Sequence, residues 1–137
     1  MPLATTFDNH VLDALFGSSF SVSGIPATVY IGLSSTTPTQ AGTNITEPSG
    51  GNYARVAVAN NSTNWPNASG AVKSNANQIT FNTPNADWGA ALTYWIMMDA
   101  STAGNLITFG ALTNSVTVHN GDLGPFFSAN ALQITAA

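Results

Sequence analysis

From Ala27 onward, apolar side chains recur at every second position in short runs, and clusters of Gly, Pro, Asn and Ser separate those runs. Period two is the repeat of a half-buried β-strand, and many such runs in succession point to an all-β sandwich or barrel. Val29, Ile31 and Leu33 alternate with Thr28, Tyr30 and Gly32; Ala54, Val56 and Val58 alternate with Tyr53, Arg55 and Ala57; Ile79 and Phe81 make a shorter run. Leu92 to Met98 is apolar on both alternations, which suits a strand central in the core or one covering a subunit contact. Leu106 to Leu112 follows a polar connection from Asp99 to Asn105, and Val116 and Val118 lead into Asn120-Gly121, a strong hairpin signal. Phe126-Phe127 and Leu132 with Ile134 bring the expected count to about eight strands. Before Ala27 the period differs: Val11, Leu12, Leu15 and Phe16 share one helical stripe, with Thr6 or Asp8 as N-cap and Gly17 as stop. The expectation is one domain over 1–137, an antiparallel β-sandwich of jelly-roll type at 27–137 preceded by a helix and arm at 1–26, the helix at about 7–16.

Two polar stretches, Ser35 to Asn52 and Asn60 to Asn77, show no strand pattern. Loops of that length are uncommon in a compact domain unless functional, so both are candidate contact arms. Tolerated surface excursions are the alternative, since added loop length costs little closure entropy.

Charge narrows the function. Ordinary domains are about one quarter charged, roughly 34 residues at this length. Here the charged residues are Arg55 and Lys73 against Asp8, Asp13, Glu47, Asp87, Asp99 and Asp122, a formal charge of −4. Two basic residues cannot supply the phosphate neutralisation that drives nucleic-acid binding, nor a polybasic membrane anchor. Polarity comes instead from Ser, Thr and Asn, 45 of 137 residues. A neutral surface of hydroxyls and amides has little charge repulsion to keep copies apart, so self-association is expected. Met1 to Phe16 has no basic residue and carries Asp8 and Asp13, so it is not expected to act as a secretory signal. Matches to Asn-X-Ser/Thr at Asn44, Asn60, Asn61 and Asn67 are what such a composition produces by chance.

General acid–base chemistry needs a titrating group beside a partner. His10 and Asp13 lie three apart on the expected helix, and His119, Asp122 and Ser128 cluster around the Asn120-Gly121 turn. The first is read as a solvated helix pair and the second as turn chemistry. Asp87, Asp99 and Asp122 share no short loop that would hold calcium, and cysteine is absent, which removes thiolate ligands, nucleophiles and disulfides together. No enzyme, cofactor or metal site is expected. Trp65, in Asn64-Trp65-Pro66, and Trp88, in Asp87-Trp88-Gly89, have two readings: plugs of the core or an interface, or platforms that stack on a sugar ring. Glu47 and Arg55, the one glutamate and the one arginine, flank the Pro48-Ser49-Gly50-Gly51 turn, and an ion pair between them is expected to anchor the first long loop.

Several segments also resemble, in order, a family of small virion structural proteins of tailed bacteriophages. They are Gly32-Leu33-Ser34, Glu47-Pro48-Ser49-Gly50-Gly51-Asn52-Tyr53-Ala54-Arg55-Val56, Ile79-Thr80-Phe81, Asp87-Trp88-Gly89, Asp99-Ala100, Gly104-Asn105-Leu106, Gly110-Ala111-Leu112, Gly121-Asp122 and Leu132-Gln133-Ile134. Members are described as tail-fibre proteins and as head decoration or cement proteins. Gly124-Pro125 departs from the pattern, because proline is confined to the edges, ends or bulges of sheets. The resemblance implies a non-enzymatic virion protein made in the host cytoplasm. A small unit without a helical shaft suits a cement protein on the outer capsid surface, partnered by the major capsid protein and by itself as a homotrimer. A tail-fibre component or glycan-binding receptor-recognition module is the alternative. The contact residues would come from Glu47, Arg55, Trp65, Trp88, the N-terminal segment and the two long loops.

Overall fold

The computed structural model describes residues 3–7, 16 and 24–135. Its strands are β1 (Thr28–Ser34), β2 (Val56–Ala59), β3 (Val72–Ser74), β4 (Ile79–Thr80), β5 (Leu92–Met98), β6 (Leu106–Val116), β7 (Phe126–Phe127) and β8 (Gln133–Thr135). A four-stranded sheet runs β2-β1-β5-β6, and two short ladders, β3-β8 and β4-β7, complete the set. All pairings are antiparallel. The chain is thus an all-β antiparallel sandwich with a short helical piece at its start. Residues 5–7 and 16 are helical, while the rest of the expected helix over 7–16, with His10 and Asp13, lies outside the described residues.

Alternation decides which residues form the core. Val29, Ile31 and Leu33 of β1 share a face with Trp95 and Met97 of β5, set by the register Ile31↔Met97 and Leu33↔Trp95. That face packs against Ile79, Phe81 and Leu132, with Phe127 and Ile134 at its margin, so the two ladders form the opposing layer. Burying a side chain such as Ile31 or Leu132, both fully enclosed, stabilises the fold by about 1.5–3 kcal/mol. Gly110 lies opposite Trp95, and a Cβ there would stand 2.5 Å from the Trp95 indole nitrogen. The missing side chain makes room for the ring.

The other sheet face is covered as well. Ile96 and Met98 of β5 join Leu106, Phe109 and Ala4 in a second cluster, with Tyr30, Ile45 and Tyr94 packed against it. This accounts for the doubly apolar β5: it is an inner strand, between β1 and β6, with both faces buried. Ile45 belongs to the first long loop, so that loop folds back over its own sheet.

Three strand expectations change. The reading that puts Val116 and Val118 in a strand of their own gives way to a longer β6, which runs through Val116 after a register shift between Leu92 and Tyr94 of its partner. The Asn120-Gly121 turn is present, with Asp122 N–H donating to His119 C=O at 3.1 Å and Gly121 at φ 86°. It does not close a hairpin, because β6 pairs with β5 and β7 with β4. Pro125 is the reason on the far side: β7 starts one residue after it, and its carbonyl accepts Phe81 N–H at 2.9 Å. Finally, the polar stretch from Asn60 to Asn77 contains β3, whose partner β8 lies near the other end of the chain.

Candidate functional site

Glu47 and Arg55 form the expected ion pair, and it is bidentate. Arg55 Nη2 lies 2.6 Å from Glu47 Oε2, and Arg55 Nε donates to Oε1 at 3.0 Å and to Oε2 at 3.2 Å. Nη1 donates to the carbonyls of Ala100 at 2.7 Å and Ala103 at 2.8 Å. One guanidinium therefore joins the long loop 35–52 to the loop between β5 and β6. Its planar set of donors is what a point-charge lysine would lack. Ala103 sits at φ 51°, a left-handed conformation that costs an alanine about 1 kcal/mol, and the bond to Arg55 helps to hold it.

Tyr53 completes the network. Leu33 N–H lies one ladder step beyond Ile31↔Val56, where β2 has not yet begun, and Tyr53 Oη accepts it at 2.9 Å. The same hydroxyl donates to Glu47 Oε1 at 2.7 Å. Burial, then the neighbouring Glu47 carboxylate, push the Tyr53 pKa well up from its ordinary value of 10.0. Arg55 is also raised: its bonds and attraction to Glu47 outweigh the desolvation that acts the other way.

Glycines open the space that this arrangement needs. A Cβ on Gly32 would meet Glu47 Oε1 and the Tyr53 hydroxyl, each at 2.8 Å. One on Gly51 would stand 2.7 Å from the Trp88 ring, whose Nε1 donates to Gly51 C=O at 2.8 Å. Trp88 meets Tyr53 edge-to-face at 5.2 Å between centroids. Ser34 is buried, and its hydroxyl accepts Thr46 N–H at 3.0 Å while donating to Thr36 C=O at 2.8 Å. The Gly32-Leu33-Ser34 and Glu47-to-Arg55 segments are thus two halves of one clamp. Beside it lies a cavity of about 290 Å³, lined by Pro48, Tyr53, Arg55 and the 101–103 loop.

The remaining candidates have structural roles. Trp65 and Trp88 are each 4% exposed, which corrects the saccharide-platform reading for both: neither ring presents a face to solvent, because residues distant in sequence pack over them. His119 and Asp122 do meet, but as a turn, with His119 N–H donating to Asp122 Oδ2 at 2.8 Å. His119 Nδ1 lies 3.8 Å from Asp87 on the open surface. Ser128 touches neither; its carbonyl accepts Asn75 Nδ2 at 3.0 Å. Asp87 and Asp99 likewise accept backbone N–H groups, from Asn120 at 2.8 Å and Asn105 at 2.6 Å. No cluster of three or more metal-ligating side chains occurs among the described residues.

Two features escape sequence reasoning. Tyr53 reads there as one outward position in an alternating strand. Asn75, 1% exposed, donates to Asn77 C=O at 2.8 Å and accepts Leu132 N–H at 2.9 Å, tying the second long loop to the C-terminal segment. Among so many asparagines nothing distinguishes it.

Comparison with known proteins adds the remaining finding. A family model described as Podophage GP4 fiber I protein gp80 matches residues 2–135. No curated protein matches the chain.

Proposed function

The chain belongs to the Podophage GP4 fiber I protein gp80 family, a family of phage virion structural proteins, and from that premise we propose that it is a non-enzymatic component of a virion fibre. The observation that carries the reading is the family match over residues 2–135, whose description names a fibre. What the side chains do supports it. Glu47 with Arg55, and Asp87, Asp99 and Asp122, are committed to holding loops and turns. These groups stiffen a part.

Such a protein works by interface area. Apolar burial at about 25 cal/mol per Å², with hydrogen bonds from hydroxyls and amides, is the available source of affinity. Leu123, 90% exposed, and Phe126, 57% exposed, flank Gly124-Pro125 and, with Phe16, Ile25 and Val116, are the exposed large apolar groups among the described residues that could meet a neighbour. Because Trp65 and Trp88 are buried, recognition of a receptor, if the fibre carries it, falls to other side chains.

Immunogold labelling of intact particles tests the assignment. Gold at the tail appendages is the expected result. Gold spread over the head would replace the fibre reading with the capsid-cement one, in which the protein staples neighbouring shell subunits by binding only their assembled state.

A further inference from the structure

The main sheet has two edges, and the chain treats them differently. β6 is guarded: the Ile107 carbonyl accepts Ala4 N–H at 2.7 Å, and Leu112 to Ser115 bulge opposite the single residue Thr93. Covering and bulging are common ways of stopping an edge from pairing with another chain, as are lysine and proline on the strand. β2 has none of these. Val56-Ala57-Val58-Ala59 pairs with β1 in unbroken register and carries no charge and no proline.

The register fixes which backbone groups β2 turns outward. Asn60 N–H donates to Ala27 C=O at 2.9 Å, which continues the ladder one step beyond Thr28↔Ala59. Hydrogen-bonded and non-hydrogen-bonded pairs alternate in an antiparallel ladder, so Val56 and Val58 bond to β1, whereas Ala57 and Ala59 turn their N–H and C=O groups away from it. The Ala59 carbonyl accepts Asn64 Nδ2 at 3.0 Å. Ala57 N–H, Ala57 C=O and Ala59 N–H have no partner among the described residues, and both alanines are exposed. Beyond this edge lies a cavity of about 210 Å³, walled by β2, Asn64, Asn77, Gln78 and β4, with no charged group in its lining.

What fits such an edge is another strand, and β2 is complementary to itself. Antiparallel pairing of two β2 strands about a two-fold axis at Ala57 sets Ala57 opposite Ala57 and Val56 opposite Val58. The two Ala57 residues then exchange both N–H···O=C bonds, and the half-buried valines, already packed at the margin of the main core, cover one another. The strand brings no charge to the contact, which matters for a chain of formal charge −4. We propose that two copies of this chain join β2 to β2, making one eight-stranded sheet of order β6-β5-β1-β2-β2-β1-β5-β6. The inference does not depend on where the protein sits on the virion.

Sedimentation equilibrium of the full-length protein should give the mass of two chains, falling toward one on dilution. Ala57→Pro removes an N–H that points away from β1, a place where an edge strand accepts proline, so it should leave the circular-dichroism spectrum unchanged and give the mass of one chain. The chain has no cysteine, so single-cysteine variants read the register without interference from other thiols. Directly opposite residues of a hydrogen-bonded pair lie about 5.5 Å apart at Cα, within the roughly 4.4–6.8 Å of a disulfide, and Ala57→Cys should cross-link two copies under oxidised glutathione. Ala59→Cys, also exposed, stands about 14 Å from its counterpart in this register and should cross-link at least about tenfold more slowly. A mass of one chain at protein concentrations up to about 1 mM, a mass of three chains, an Ala57→Pro variant that stays paired, or equal cross-linking of the two cysteines would each overturn the proposal.

Discussion

Replacing Arg55 by Met tests the clamp most severely. The Arg55 side chain is 6% exposed and that of Glu47 21%, so the pair is largely removed from water. Methionine keeps much of the stem's volume and removes every donor. Glu47 is then left with one protein donor, the Tyr53 hydroxyl, and the carbonyls of Ala100 and Ala103 lose the guanidinium. Breaking a buried pair from one side costs about 3–5 kcal/mol. Glu47 retains some contact with water, which lowers the figure to about 2–4 kcal/mol. Urea unfolding should show this as a lower midpoint at unchanged slope. Amide exchange should quicken at residues 44–48 and 100–105, the two loops the guanidinium joins, and less in β5. Arg55→Met combined with Glu47→Leu removes the stranded charge as well, so the double variant should be more stable than Arg55→Met alone. A loss under about 0.5 kcal/mol with unchanged exchange in both loops would refute the clamp, since that is the range of an ordinary surface substitution.

Three further outcomes follow from the same geometry. Because the folded state holds the Tyr53 proton above the ordinary value of 10.0, the unfolded chain releases its proton first as pH rises. This contribution is complete below about pH 10 and is lost as pH climbs beyond it; Tyr53→Phe should flatten that alkaline decline in a series of urea midpoints. Gly110→Ala forces a methyl into the Trp95 indole and should cost about 1–3 kcal/mol, read as a lowered melting temperature. Trp88→Ala should destabilise the protein by about 3–5 kcal/mol, with the loss seen in thermal unfolding before any change in binding is measured; a stable Trp88→Ala variant would contradict its place in the core.

How much of this was legible in the residues varies with how local the signal is. β1 and β5 stand out within a residue of their ends, because seven consecutive positions each carry the strand pattern. β8 is legible in Leu132 and Ile134, whereas β3 is not: Val72-Lys73-Ser74 has one apolar residue, and a distant partner creates the strand. Asn120-Gly121 correctly announced a turn but not what the turn joins, since strand pairing depends on partners elsewhere in the chain. Glu47 and Arg55 could be paired from scarcity alone, whereas the roles of Tyr53 and the two loop carbonyls depend on where β2 starts and how the β5–β6 loop returns. Trp65 and Trp88 lie among polar and turn residues, which suggests exposure; side chains far away in sequence bury them. Station on the virion is a property of the assembled particle, and so lies beyond any reading of periodicity or spacing.

A cryo-electron microscopy reconstruction of the intact virion at side-chain resolution locates the protein on the particle. This chain, recognisable by the Trp88–Tyr53–Phe81 aromatic cluster beside the Glu47–Arg55 pair, should fit density in a fibre at the tail. Its fit into density on the outer capsid shell, with the tail fibres built wholly from other chains, would contradict the fibre reading.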